Sequence, residues 1–501
     1  MERLGGLELQ VLLWDDFGWS GDIGALGILD GTGLLDMDGE LQIRVVRRRI
    51  ESRLHLVPRL RQCLYRPRRG LGWPVWVDSA SFDLAEHVRV VPLDAPGDQV
   101  QLRRACEQLA RRRLEPARPL WEMWLLPGLP QRRVGLFMKM HHTIADGVAG
   151  VAAFGALLDP ARPLWQMWLL PGLPQRRVGL FMKMHHTIAD GVAGVATFGA
   201  LLDPAADKAE PATPPWAPAL APTTGELLRD NLGRRGHELA RMLSSVAHPA
   251  GTLRRSRATW PAWREFFTEQ RAPRTSLNRP IGADRSFALI GTRLDVARQI
   301  AQAQHATVND VVLAAVAAGL RELLCARGEN GDQLVLRAMV PVSLHRQQTG
   351  QASGNQAGSM VVPLPVAEPD HVRRLQLIAA ETARRKTNAH PQMGSGVFRF
   401  AAAQRVFLHL FARQRLFNLS VTNIPGPPMP LYLAGAPLLE MYPVVSLVAN
   451  LTLDVAVLSY AGQLNITAIA DQDGCPDVEL FAQGVRRALG DLAQATLVPS
   501  S

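Results

Sequence analysis

The chain has 501 residues, of which 47% are hydrophobic and 20% charged, and it carries a formal net charge of +10. That length exceeds what one hydrophobic core usually organises, so two domains of roughly 200 residues are expected, and the composition excludes disorder as a description of the whole. The positive balance invites an anionic partner: the clusters Arg47-Arg48-Arg49, Arg66-Pro67-Arg68-Arg69, Arg111-Arg112-Arg113 and Arg254-Arg255 would suit nucleic acid, an anionic membrane surface, a phosphate-bearing small molecule or plain solvation. No nucleic-acid module is recognisable, and a membrane surface is the preferred functional reading.

The N-terminus, MERLGGLELQ, has an acidic residue at position 2 and no basic segment followed by an apolar run. No signal peptide is expected, and the chain is assigned to the cytoplasm. Cys63, Cys106, Cys325 and Cys475 lie far apart without paired spacing, which predicts reduced thiols, no disulfide framework and no metal site. The longest apolar run, Val311 to Leu320, is about half of what a membrane span needs.

Further along, Ala117–Pro160 and Ala161–Pro204 are tandem blocks of 44 residues that differ only at Glu122 versus Gln166 and Ala153 versus Thr197. Stacked-repeat architectures need three or more units, so the pair is a segmental duplication. In each block RRVGLFMKMHH has the alternation of a buried strand, and DGVAGVAAFGALLD, which reads DGVAGVATFGALLD in the second block, follows a short turn with the spacing of a helix. A proline-rich linker follows over 204–225, with six prolines between Pro204 and Pro222. The expected domains are therefore 1–203 and 226–501. In the second, Glu226–Ser245 has a helical stripe of Leu227, Leu228, Leu232, Leu239 and Met242. Further helices are predicted over Asp295–His305 and Asn309–Arg327, and strands over Leu334–Pro341 and Leu451–Tyr460, giving a mixed α/β (α+β) fold.

The chemistry concentrates in HHTIADG, present at 141–147 and again at 185–191. Adjacent strand residues point to opposite faces, so His141 and His142 cannot share one cavity and one histidine at most is a reagent. An imidazole at a strand end is suited to take a proton from a hydroxyl, because its unperturbed pKa lies near working pH. Asp146 can fix the following turn, and Gly147 lets the backbone bend sharply. His185, His186, Asp190 and Gly191 repeat the set. A structural histidine and a metal-binding His-His-x-x-x-Asp are the competing readings, the second weakened by the divergence of neighbouring strand residues.

HHTIADG is an instance of HHxxxDG, the signature of CoA-dependent acyltransferases that resemble chloramphenicol acetyltransferase, condensation domains of peptide synthetases among them. RPLWEMWLLPGL at 118–129, FDLAEHVR at 82–89, TVNDVVLAAVAAGLR at 307–321, MVPVSLHR at 339–346, Gly354-Asn355 and TNIPGP at 422–427 narrow the likeness. Together they resemble the bacterial, mycobacterial-type wax ester synthase/diacylglycerol acyltransferase family, in family order, over about 1–490. The opening LLWDDFGWSGDIGALGILDG departs from that family's aromatic and histidine pattern.

The resemblance implies two chloramphenicol acetyltransferase-like domains with the active site in a tunnel between them. It implies that His142 is the general base, or His186 if the second copy is seated, with His141 and Asp146 as supporting residues. Asn309 or a nearby backbone N–H would contribute to oxyanion stabilisation. The implied partners are a long-chain acyl-CoA, as substrate rather than cofactor, diacylglycerol or a fatty alcohol, and a peripheral membrane or lipid-droplet surface. No cofactor and no nucleic acid are expected. The alternatives are a related acyltransferase or condensation enzyme with another acceptor, and a lipid-binding protein of the same fold inactivated by the duplication. Arg374, Arg384, Arg385 and Lys386 are open between a phosphate clamp and a solvated helix face, and Leu451–Leu458 between an acyl groove and ordinary core.

Overall fold

The computed structural model describes residues 2–4, 6–52, 54, 58–68, 71–114, 119, 121–129, 133–141, 165–173, 177–184, 218–219, 221–247, 271–329, 334–343, 357–386, 401–426 and 430–497. The first half opens with β1 (Glu2–Arg3), α1 (Gly6–Asp16), β2 (Asp22–Asp30), α2 (Ile43–Glu51), β3 (Gln62–Tyr65) and β4 (Val75–Asp78). A short α3 (Leu84–His87) runs into β5 (Val88–Val90), and α4 (Gln99–Arg111) leads to the hairpin β6 (Trp121–Leu129) and β7 (Arg133–His141). The hairpin is then repeated as β8 (Trp165–Leu173) and β9 (Arg177–Met184). Helix starts follow local chemistry: Asp83 accepts from Ala85 N at 2.8 Å, and Asp98 with Gln101 forms a capping box on α4.

The second half begins with α5 (Thr224–Ala247) and continues through β10 (Arg285–Arg293), α6 (Leu294–Ala303), α7 (Val308–Ala326), β11 (Val335–Ser343), β12 (Ala357–Pro365), α8 (His371–Lys386) and α9 (Ala401–Phe411). It ends with β13 (Leu419–Pro425), β14 (Tyr432–Leu433), β15 (Ala436–Val444), β16 (Leu453–Tyr460), β17 (Gln463–Asp471) and α10 (Val478–Leu497). The predicted helices over 295–305 and 309–327 and the strands over 334–341 and 451–460 match α6, α7, β11 and β16 within a few residues. The stripe assigned to α5 is not one buried face: Leu227 is buried, whereas Leu228 and Leu232 are exposed.

The strands form a three-stranded sheet, β1-β4-β3, a six-stranded sheet, β10-β17-β16-β13-β11-β12, and an eight-stranded sheet, β14-β15-β2-β9-β8-β7-β6-β5. Chain order and sheet order part company at β15, which leaves the second half to pair antiparallel with β2, from Leu438↔Leu29 to Val444↔Gly24. Side chains of the six-stranded sheet then clasp it: Asn465 Nδ2 donates to Met441 O at 3.0 Å, Gln463 Nε2 to Leu439 O at 3.0 Å, and Tyr460 Oη to Leu438 O at 2.9 Å. Of the expected division into 1–203 and 226–501, residues 436–444 therefore belong by sheet membership to the first half.

Apolar alternation places one core on each face of the eight-stranded sheet. Ile23, Ala25, Leu136, Met138, Trp121 and Met123 join one cluster, while Leu26, Ile28, Phe137 and Trp124 face α4 and meet Phe287, Ala456 and Ile469 of the six-stranded sheet. A third cluster surrounds α7, where Gly319 lies against Gly484 of α10. A Cβ at Gly319 would stand 2.6 Å from Phe481 O, so only glycine allows this helix crossing.

The duplicated hairpins compete for one place. β2 pairs with β7 from Asp22↔His141 to Leu29↔Val134, and it pairs with β9 at Ile23↔Met184 and Asp30↔Arg177. Met184 is the copy of Met140, the partner of Ile23 in β7, so the two registers are identical. β8 likewise meets β7 at Met140↔Trp165, the register in which β6 meets it at Met140↔Trp121. A strand has two hydrogen-bonding edges, so one hairpin can be seated between β2 and β5.

Candidate active site

β7 delivers the histidine motif to the end of the eight-stranded sheet. Its last residue, His141, is buried, and its Nε2 lies 3.2 Å from Asp15 Oδ2 at the end of α1. Across the ladder His141 faces Asp22, whose Oδ2 is 3.2 Å from Lys139 Nζ. Lys139 is fully buried, and Asp22 also accepts from Ser20 Oγ at 2.7 Å. Lys139 and His141 are two residues apart and so project from the same face of β7.

Enclosure by the surrounding protein, and secondarily the neighbouring Asp22, push the Asp15 carboxyl up to about 7, although Gly21 N–H donates to it and Arg66 and Arg113 oppose the rise. The first histidine is thus engaged in holding the strand end to α1. His142, Asp146, Gly147, His185, His186, Asp190 and Gly191 lie outside the described residues.

The FDLAEHVR and RPLWEMWLLPGL segments meet beside this strand. His87 stacks between Phe82 and Trp121, with centroid separations of 5.1 and 4.8 Å, and its Nδ1 contacts Trp121 O. Burial drives the His87 ring down to about 3, so it stays neutral and structural. Trp121 Nε1 donates to Leu60 O at 2.6 Å, which locks the start of β6.

Two other motifs meet in the second half. Asn423 Nδ2 donates to Asn309 Oδ1 at 3.4 Å, joining TNIPGP on β13 to the N-terminus of α7. Gly426 of the same motif packs on the Ser459 carbonyl with no room for a Cβ. The arginines left open by the sequence are structural at their described contacts. Arg374 is fully buried, with Nη1 2.7 Å from His371 Nδ1 and Nη2 bonded to Glu368 O. Arg384 and Arg385 pair with Glu381, and Arg385 also donates to Val361 O at 2.6 Å. Leu453, Val455 and Val457 belong to ordinary core rather than to a groove.

Sequence reasoning missed Asp15, Asp22 and Lys139. A lysine inside the apolar strand LFMKM was the available signal, because a buried ammonium needs a carboxylate partner. Among the described residues no group of three or more His, Cys, Asp or Glu is placed to hold a metal, and no helix is long and apolar enough to cross a membrane.

Solved structures share this architecture. The model aligns with the wax ester synthase/diacylglycerol acyltransferase of Marinobacter aquaeolei VT8 at a TM-score of 0.64 and 22% identity, covering 99% of this chain and 100% of that one. The first condensation domain of the CDA synthetase aligns at a TM-score of 0.53 and 16% identity, over 98% of this chain and 97% of that one. These likenesses define the fold class: two-lobed, chloramphenicol acetyltransferase-like. The sequence profile of the wax ester synthase/diacylglycerol acyltransferase catalytic domain matches 22–161 and again 154–312, and that of the WS/DGAT C-terminal domain matches 353–493. The chain belongs to the wax ester synthase/diacylglycerol acyltransferase family. The catalytic profile breaks and restarts near residue 160, where the first block ends. A Mycobacterium tuberculosis protein named "Probable diacyglycerol O-acyltransferase tgs1" is 28% identical over 481 residues, 94% of this chain and 90% of that relative. A second protein of that species, also carrying a diacylglycerol O-acyltransferase name, is 29% identical over 517 residues, 99% of this chain and 91% of the relative.

Proposed function

We propose that the protein is an acyl-CoA-dependent O-acyltransferase that moves a long-chain acyl group to diacylglycerol, forming triacylglycerol, with long-chain alcohols as second acceptors that give wax esters. The observation that carries this reading is the match of the family's catalytic and C-terminal profiles over 22–161, 154–312 and 353–493, with Asp15 holding His141 at the end of β7. His142 takes the proton of the acceptor hydroxyl as its oxygen attacks the thioester carbonyl. The tetrahedral intermediate collapses by expelling the CoA thiolate, which recovers that proton as the free thiol. Asn309, oriented by Asn423, is assigned to oxyanion stabilisation. No covalent enzyme intermediate and no cofactor enter the scheme. Acceptor lipid is delivered at a membrane or droplet surface, to which the net charge of +10 contributes.

One observation favours a second reading. Two hairpins in one register for one place could leave the fold intact and turnover lost, making a lipid-binding protein. Purified protein incubated with radiolabelled palmitoyl-CoA and diolein separates the two. Labelled triacylglycerol is expected; free fatty acid alone, or no labelled product, would sink the transferase reading.

A further inference from the structure

β5 closes one edge of the eight-stranded sheet, and β6 lies beside it in parallel register from Val88↔Met123 to Val90↔Leu125. From that edge Arg89 reaches across to β6: its Nη2 is 3.7 Å from Glu122 Oε1, and its Cζ lies 5.9 Å from the centre of the Trp124 ring. Glu122 is buried, whereas the Arg89 side chain is 38% exposed, and this is the only ion pair that Arg89 makes among the described residues. Across the next ladder Glu122 stands opposite Lys139, whose ammonium meets Asp22. Residues opposed in a ladder share a face, so the signs alternate from β2 to β5: Asp22, Lys139, Glu122, Arg89.

The second hairpin repeats the first residue for residue except at one point in this row. Gln166 copies Glu122 and stands opposite Lys183, the copy of Lys139. Trp168 copies Trp124, so the ring beneath Arg89 and the lysine for Asp22 are common to both hairpins. Only the carboxylate is not. With β8 beside β5, Arg89 would face a neutral amide and the row would carry one uncompensated cation. Burying the Glu122 carboxylate has its own desolvation cost, which the two flanking cations must outweigh. The exposure of Arg89 keeps the margin modest. β2 pairs with β7 all along the strand and with β9 at two positions, which accords with the first hairpin being preferred.

We propose that Arg89 selects between the two hairpins, drawing the Glu122 copy into the place beside β5 and leaving the Gln166 copy outside. β7 begins four residues after β6 ends, so it enters with β6, and the choice made at β5 decides which HHTIADG copy the sheet presents. Arg89 and Glu122 are thus positioning residues for the base. The part of the proposal that concerns the base rests on the acyltransferase reading above; the part that concerns the hairpins does not.

The test compares wild type, Arg89→Glu and the exchange variant Glu122→Gln/Gln166→Glu, which keeps composition and net charge. Hydrogen exchange read by mass spectrometry distinguishes 121–126 from 165–170 in all three, because these segments differ at 122 and 166. In wild type 121–126 should be the better protected. The ratio should fall on the order of tenfold in Arg89→Glu and reverse in the exchange variant. Equal protection in wild type, or protection that stays with 121–126 in both variants, overturns the proposal. Activity with palmitoyl-CoA and diolein gives the second reading: in the exchange variant His186→Ala, not His142→Ala, should become the damaging substitution. Wild-type turnover that depends on His186 while 121–126 is the protected strand overturns the link to the base. An inactive wild type would defeat the transferase reading, yet the exchange measurement would still decide whether Arg89 selects the hairpin.

Discussion

The β6–β7 hairpin and the crossing of α7 with α10 are both buried, yet they answer to sequence in opposite ways. At the crossing each position has one residue to fill it: Gly319 meets Gly484, and nothing else in the chain can take their place. In the hairpin two segments 44 residues apart fit one place in one register. The difference teaches that a sheet position is defined by the edges offered to it. β2 presents its ladder to whichever copy arrives, because pairing depends on backbone groups and alternation that both copies share.

The largest expected effect tests which copy is seated. His142→Ala should lower turnover by roughly 10²- to 10⁴-fold, the usual span for general acid–base catalysis, while His186→Ala leaves it nearly unchanged. Steady-state assays with palmitoyl-CoA and diolein would read this. The reverse pattern seats the second copy through a switch within 127–133, and full activity in the double variant removes the mechanism.

The same comparison can be made in stability. Lys139→Met strands a buried Asp22, and breaking such a pair typically costs about 3–5 kcal/mol. The full loss is expected only if the first copy is seated and held there. If Lys183, the copy of Lys139, takes its place through the second hairpin, denaturant titration should show a much smaller change. Gly319→Val has no such reserve and should destabilise by about 1–3 kcal/mol through overpacking at the crossing.

Excision of 161–204 should have a small effect on the melting temperature, since closure entropy changes by only about 0.6 kcal/mol per doubling of loop length. The shortened protein should be more soluble and at least as active per folded molecule. A misfolded product from an active parent would mean that the second block has acquired a structural role.

The smallest effect concerns pH. The Asp15 carboxyl titrates near 7 in the folded protein against about 4 when unfolded, so the native state holds the extra proton between these values. Asp15 therefore favours folding less as pH rises from about 4 to 7. Asp15→Asn should flatten the decline in melting temperature between pH 5 and 8; an unchanged profile would mean that Asp15 does not carry it.

Much of this protein was legible in its sequence. The motif segments carried the family and fold class, the periodicity of 295–305 and 309–327 located α6 and α7, and the near-identical repeat located the duplication. Those features are local, since propensity, capping and alternation act within a few residues of chain. Tertiary structure decided the rest. That Asp15 meets His141, that Lys139 neutralises Asp22, and that Arg374 is buried rather than a phosphate clamp are facts about residues brought together from different elements. The crossing of β15 into the first sheet belongs to the same class, because its apolar alternation would serve either sheet. Sequence specifies that a strand needs two edges, and only the assembled fold supplies the edges and leaves one place for two hairpins.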